Sequence, residues 1–426
     1  WCVTLWALLL GTAWATPMNP SQLVVFGDSL SDGGNAAAAI LGSIPESQQG
    51  NPAVLQQAFQ TIPFSPEDDN FVPSAPYLLG PDPLASRFSN GPVWVERLAH
   101  ALGLPLNPAL LGGTNFAFGG ADSGPLPGVP ADPIPSLTTQ VGLYLDGLRV
   151  TQTALDQDAL FVVFGGGNDL RALSGVTANA GQAAFIASLQ TTGDVEDALA
   201  AGDAAAAEAF EAVIAAGGSV ADAAAAAEAA AQEAFVGVLM ATGDVMAARD
   251  AADVAAFQAA QNLIAASATN LLGVVDTLLQ AGAINFLIPL VPDVSLTPDA
   301  QNLSADTRAL ISSLSFGLNQ LLLQSLLPLS ANPDLNINIL DTFSLFRGIV
   351  DNPQPFGLTN ASDACITTEV CSHPSEYLFW DGIHPTAAGH QILADAALML
   401  IPEPGSLVLM GIGLLIIGWS IRRRYR

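Results

Sequence analysis

The sequence predicts an α/β fold built on a parallel sheet with helices over both faces. Three observations carry that prediction. Half of the chain is hydrophobic, enough for a sizeable core. Runs rich in Val, Ile, Leu and Phe recur and end in Gly, Asp or Pro: "LVVFGD" (23–28), "LFVVFGGGND" (160–169), "INFLIPLVPD" (284–293) and "INILDTF" (337–343). Helical patterns fall between or after them, at 93–102, 309–327 and 386–400. Strands alternating with helices give a parallel sheet covered on both sides. Such sheets place their chemistry at the carboxyl ends of the strands, where Ser29 and Asn168 fall.

The chain opens on "WCVTLWALLLGTAWA", an apolar run ending in Ala13-Trp14-Ala15. Small-x-small after a short hydrophobic stretch predicts a secretory signal, residues 1–15, cleaved after Ala15. No Met and no basic region precede the run, so the true start is expected upstream. The formal charge is −28, and all 11 basic residues are arginines, four of them among the last five positions. The body is therefore more acidic still. It repels phosphate backbones, which excludes nucleic acid as a partner, and it suits an extracytoplasmic protein.

The first strand runs into Gly27-Asp28-Ser29-Leu30. Ser29 has two readings: the N-cap of a following helix, or a nucleophile whose partners lie elsewhere. It is not within Gly-x-Ser-x-Gly, so the nucleophile elbow of α/β-hydrolases is absent. "RFSNGPVWVE" (87–96) follows, then "GGTNFAFGGA" (112–121), a glycine-rich loop able to present backbone N–H groups. The second strand ends in "FGGGNDL" (164–170), where the Asn168 amide is a further donor.

Residues 171–267 are dominated by alanine and carry a 25-residue repeat, marked by Phe185, Phe210 and Phe235 and by Gly193, Gly218 and Gly243. Asp194, Ser219 and Asp244 follow those glycines as N-caps. Each repeat predicts one helix of roughly 20 residues between Gly-centred breaks, successive helices folding back as antiparallel hairpins. Large apolar residues are too few for an independent core, so the segment reads as a helical insertion leaning on the main domain.

Beyond the insertion, Cys365 and Cys371 share a loop, and export favours their pairing as a disulfide. A metal site needs more ligands than this loop offers, even with His373 close by. Of the four histidines, His100 and His390 read as surface helix residues, while His384 stands in "DGIHPT" with Asp381 three residues earlier. That turn supplies a base and the carboxylate that orients it from one loop.

The ordered set of Gly27-Asp28-Ser29-Leu30, a block with Gly120, Gly166-x-Asn168-Asp169 and Asp381-x-x-His384 resembles the GDSL, or SGNH, hydrolase family, and "RFSNG" and "INFLIPLVPDVSLTP" (284–298) match its lipase-like branch. The resemblance covers about residues 21–170 and 268–395. It implies a three-layer, flavodoxin-like fold in two parts, 16–170 and 268–400. It implies an ester hydrolase with Ser29 as nucleophile, His384 as base, Asp381 as its orienter, and an oxyanion hole from Ser29, Gly120 and Asn168. No metal or organic cofactor is required. The substrate expected is a carboxylic ester, either a lipid acyl ester or acetylated polysaccharide. The alanine-rich insertion departs from the family's usual compact linker. An alternative reading is a non-catalytic cell-surface or matrix protein that uses the repeat for association.

The chain closes on "IPEPGSLVLMGIGLLIIGWSIRRRYR", in which residues 406–421 are apolar and uncharged. Sixteen helical residues span about 24 Å, short of the roughly 30 Å hydrocarbon core yet able to cross a thin bilayer. Arginines after the span keep that end cytoplasmic and the body outside. Pro402-Glu403-Pro404, the apolar stretch and the arginines resemble the PEP-CTERM sorting tail, which sets the last segment at 401–426. That resemblance implies export across the inner membrane, contact with a processing protease, and either anchoring or release to the surface or matrix.

Overall fold

The structure, a computed structural model, describes residues 19–61, 75–216, 219–366 and 370–401. The expected signal segment and all but the first residue of the 401–426 tail lie outside the described residues. The chain divides into two compact units. Among the described residues, one takes everything up to Leu126, then Pro130–Leu170, and everything from Ile264; the other takes Pro127–Val129 and Arg171–Leu263.

The first unit is built on four parallel strands that lie side by side in chain order: β1 (Leu23–Gly27), β2 (Leu160–Phe164), β3 (Asn285–Pro289) and β4 (Asn336–Leu340). Val25 pairs with Val162, Val162 with Leu287, and Leu287 with Asn338. Every residue of β1, β2 and β3 is buried, which is why these segments read as unbroken apolar runs. Along each strand, alternate side chains serve opposite faces. Leu23, Val25, Leu160, Val162 and Leu287 pack with Trp94, Val95 and Leu98 of the helix Trp94–Ala101 and with Leu393, Ala394 and Ala397 of the helix Ala387–Met399. On the other side, Phe26, Tyr144, Phe161 and Phe286 form a chain of rings with centroids 5.8 to 6.0 Å apart.

A fifth element was not visible as a strand in the sequence. Residues 114–118 run along the outer edge of β1: the Val25 N–H donates to the Thr114 carbonyl at 3.0 Å, and the Phe116 and Phe118 N–H groups donate to Val25 and Gly27 at 2.7 and 3.1 Å. Counting this segment, the order across the sheet is 2-1-3-4-5, the flavodoxin-like order, with its switch point between β1 and β2. Asn115 and the glycines on both sides disguise the segment as a loop, because strands are depleted in both residue types.

In the second unit the alanine-rich segment is helical, in Gly167–Thr192, Val195–Ala215, Val220–Thr242 and Val245–Gln280; the first and last of these helices begin and end in residues of the first unit. Each break carries its own cap: Asp194 accepts the Asp197 N–H, Ser219 the Asp222 N–H, and Asp244 the N–H groups of Met246 and Ala247. The breaks at Gly193 and Gly243 meet reciprocally. The Asp194 N–H donates to the Thr242 hydroxyl at 2.8 Å and the Asp244 N–H to the Thr192 hydroxyl at 3.0 Å. A Cβ on Gly193 would lie 3.1 Å from Leu239, and one on Gly243 3.0 Å from Leu189. The same exchange recurs where Gly181 faces the Ala252 carbonyl and Gly202 the Ala231 carbonyl. Two repeats thus form one structural half, and the halves are related by a local two-fold axis. Leu189, Ala198, Leu239 and Ala248 are buried around it.

Candidate active site

Ser29 lies in the turn after β1 and is almost buried. It caps no helix, because the next one begins only at Asn35. The N–H groups at that helix start are held instead by Asp32, whose carboxylate accepts from Gly34, Asn35 and Ala36 at 2.8, 2.7 and 3.1 Å. The positive end of this helix is therefore already engaged by Asp32. The same carboxylate accepts the Gly119 N–H at 2.9 Å. Asn35 donates to the carbonyls of Asn115 and Ala117, and Asn115 donates to the Ser31 carbonyl. These three buried side chains lace the Ser29 turn to the 112–121 segment.

Asp381 and His384 arrive together from one turn. One carboxylate oxygen of Asp381 accepts the N–H groups of Ile383 and His384 at 2.9 and 2.7 Å. The other lies 2.8 Å from His384 Nδ1. His384 Nε2 lies 2.9 Å from Ser29 Oγ, across 355 positions of sequence. The network assigns the ring proton to Nδ1, facing the carboxylate, so that the Nε2 lone pair receives the serine hydroxyl. All three side chains are at most 6% exposed.

The turn rests on the 87–96 stretch, whose positioning role the sequence did not reveal. The Phe88 ring centroid is 5.4 Å from that of His384. The Ser89 hydroxyl donates to the Pro385 carbonyl at 2.9 Å, and Asn90 accepts the Ala387 N–H at 2.7 Å. Arg87 pairs with Glu96 through two bonds of 3.0 and 2.7 Å. Gly119 approaches Phe88 so closely that a Cβ there would fall 2.1 Å from the ring. The only sequence signal for this bed was the motif itself.

Gly120 adopts φ +83°, a left-handed conformation that favours glycine. Its N–H and that of Ser29 donate to no partner among the described residues, whereas the Gly119 N–H is taken by Asp32. Asn168 sits in the first turn of the helix that follows β2 and donates one amide hydrogen to the Ala121 carbonyl at 3.0 Å. That leaves its second hydrogen for another acceptor.

Charge around the site is shaped mainly by burial. Burial raises Asp28 to about 6, against the Leu30 N–H and the nearby His384 that lower it. Burial likewise raises Asp169, which accepts from the Ser123 N–H and the Ser267 hydroxyl. His390, read from the sequence as a surface residue, is fully buried, and burial lowers it to about 3. Its helix presents this face to the Trp94–Ala101 helix, where His390 Nδ1 accepts the Trp94 N–H at 3.3 Å. His100 and His373 are exposed. Cys365 and Cys371 are joined by a disulfide.

Residues 23–194 and 229–397 match the family model of GDSL-like lipase/acylhydrolases, and residues 400–424 match the PEP-CTERM protein-sorting motif. The family match reaches further into the alanine-rich segment than the motifs do, omitting only 195–228. Three curated proteins are similar over part of their length. A GDSL esterase/lipase of Arabidopsis thaliana is 26% identical over 136 residues, covering 29% of this chain and 38% of that protein. The thermolabile hemolysin of Vibrio parahaemolyticus is 26% identical over 138 residues, covering 28% and 33%. An uncharacterized protein from the trpE-trpG intergenic region of Pseudomonas putida is 30% identical over 161 residues, covering 34% and 26%. The chain thus spans well under half the length of the curated relatives it matches.

Proposed function

Since the chain belongs to the GDSL-like lipase/acylhydrolase family, we propose that it is an exported serine hydrolase of carboxylic esters. The observation that carries this reading is the buried line from Ser29 Oγ to His384 Nε2, 2.9 Å, and from His384 Nδ1 to Asp381, 2.8 Å. In the first half-reaction, Ser29 Oγ attacks the ester carbonyl carbon while its proton passes to His384 Nε2. Asp381 accepts the Nδ1–H bond throughout and stabilises the imidazolium. The carbonyl oxygen gains the negative charge. The unengaged N–H groups of Ser29 and Gly120 and the second amide hydrogen of Asn168 are the donors assigned to it. Collapse of the tetrahedral species breaks the bond to the alcohol, which leaves with the proton held by His384. A water molecule then gives a proton to His384 as it attacks the acyl-serine carbonyl. Collapse of the second tetrahedral species breaks the bond to Ser29 Oγ, which takes that proton back from His384 as the acid leaves.

The relatives named esterase/lipase favour a lipid acyl ester over acetylated polysaccharide. The sorting motif at 400–424 supports export, with the C-terminal tail either held in the membrane or removed by a processing protease. A purely associative surface protein would leave the alignment of three buried polar side chains without a purpose. Ser29→Ala should lower hydrolysis of p-nitrophenyl esters, from acetyl to long-chain acyl, by at least about 10⁴-fold without loss of fold. A fluorophosphonate should label the wild-type protein at Ser29. Full activity in the alanine variant, with circular dichroism unchanged, would overturn the reading.

A further inference from the structure

Resting on that esterase reading, we propose that Tyr77 is a positioning residue of the reaction, acting through Asp381 on His384. The Tyr77 hydroxyl donates to Asp381 Oδ2 at 3.3 Å, the same oxygen that His384 Nδ1 approaches at 2.8 Å. The other carboxylate oxygen is already filled by two backbone N–H groups. Asp381 therefore has both oxygens fixed by the protein, and Oδ2 is shared between a phenol and the imidazole.

The phenol is held by contacts on several sides. Its residue is fully buried. The Tyr77 N–H donates to the Arg87 carbonyl at 2.9 Å, in the stretch that also carries Phe88 and Ser89. The ring meets Trp380 edge-on at 5.8 Å and packs with Cys365 and Ile366, while the disulfide partner Cys371 borders the same cluster. Burial, together with the charges of Asp381 and Asp299, raises the hydroxyl far above the ordinary tyrosine value, so it remains a donor at every working pH. The titratable groups that face the Asp381–His384 pair are Asp28, His390, Tyr77 and Asp299, and the Asp299 backbone N–H is bonded to the Gly382 carbonyl. Among these groups, Tyr77 bonds the Asp381 side chain on the same oxygen that faces His384.

A donor on Oδ2 does two things. It fixes the plane of the carboxylate, and hence the direction in which the imidazole is held. It also draws charge from the oxygen that stabilises the imidazolium. Without the phenol, Oδ2 keeps more charge and favours the imidazolium.

The test is Tyr77→Phe, with Tyr144→Phe as the control that removes a buried hydroxyl away from the triad. Wild type and both variants are compared by kcat and kcat/KM against pH on a short p-nitrophenyl ester, with Tm recorded for each. We expect Tyr77→Phe to move the acid limb of kcat/KM upward by about half a pH unit and to lower kcat roughly fivefold to tenfold, with KM little changed. Tyr144→Phe should leave the limb in place. If Tyr77→Phe does not fold, replacing the tyrosines with 3-fluorotyrosine gives a more acidic phenol and should move the limb downward. A limb unmoved in whichever variant folds would overturn the role of Tyr77. An inactive wild-type protein would instead overturn the esterase reading itself.

Discussion

The two units achieve order by opposite means. In the first, large side chains fill the core, with Trp94, Trp380, Tyr77, Phe26, Phe161 and Phe286 all fully buried, and the site is tied by bonds between residues hundreds of positions apart. In the second, the buried cluster is Leu189, Ala198, Leu239 and Ala248, and the helix ends are capped by residues two or three positions away. Helices of alanine form from local propensity and caps. A reacting geometry does not, because a hydroxyl and an imidazole must be held to within a fraction of an ångström by neighbours that are themselves fixed.

The largest expected effects test whether this division is real. Phe88→Ala removes a buried ring that packs near both Gly119 and His384. It should cost about 3–5 kcal/mol of stability and lower kcat by more than tenfold, since the imidazole loses the surface it rests on. Leu189→Ala removes one of the two leucines buried at the centre of the repeat and should cost about 2–4 kcal/mol. Esterase kinetics should then stay within about twofold of wild type at a temperature where both variants are folded. Urea melts followed by circular dichroism and by activity measure both. Leu189→Ala with a tenfold lower kcat would break the comparison, because the repeat would then be shaping the site.

How much of this was legible in the sequence follows the same division. The first three strands stand out because each is buried on both faces and so reads as an apolar run, while the fourth alternates Asn with Ile. Asp381 and His384 can be paired by eye because one turn carries both, and the caps of the repeat follow from Gly-Asp and Gly-Ser steps. What escaped depends on distant partners. Nothing around Asp32, Asn35 or Asn115 says that they will bond to one another. His390 sits in a helix of mixed character, and only the helix facing it makes its position interior. The 25-residue period was plain, yet the pairing of its first and third breaks about a two-fold axis needed the fold.

A second contrast concerns pH and is of intermediate size. Asp28 titrates at about 6 in the folded chain against 3.8 in the unfolded one, so the folded state binds the proton more tightly. Its contribution is fully favourable below about pH 4 and is lost as pH rises through 6. His390 slopes the other way: lowered to about 3 by burial, it favours the fold above 6.5 and costs stability as pH falls. Asp28→Asn removes only the first of these. Relative to wild type, the variant should gain up to about 3 kcal/mol at pH 8 and little at pH 4. A difference in Tm that is the same at both pH values would show that Asp28 is not held as a buried carboxylate.

The smallest effect tests the two-fold axis. Thr192 and Thr242 each use one hydroxyl twice, donating to a carbonyl four residues back and accepting the aspartate N–H of the opposite break. Thr→Ala at either position leaves an N–H at a helix start to find water instead, which costs about 0.5–1.5 kcal/mol. Because the two environments are exchanged by the axis, Thr192→Ala and Thr242→Ala should cost the same to within a few tenths of a kcal/mol. The two hydroxyls accept from different breaks, so the double variant should cost close to the sum. Urea midpoints of the three variants decide this. If one substitution costs at least twice the other, the halves are not equivalent, and the repeat is a series of single helices rather than a pair of matched halves.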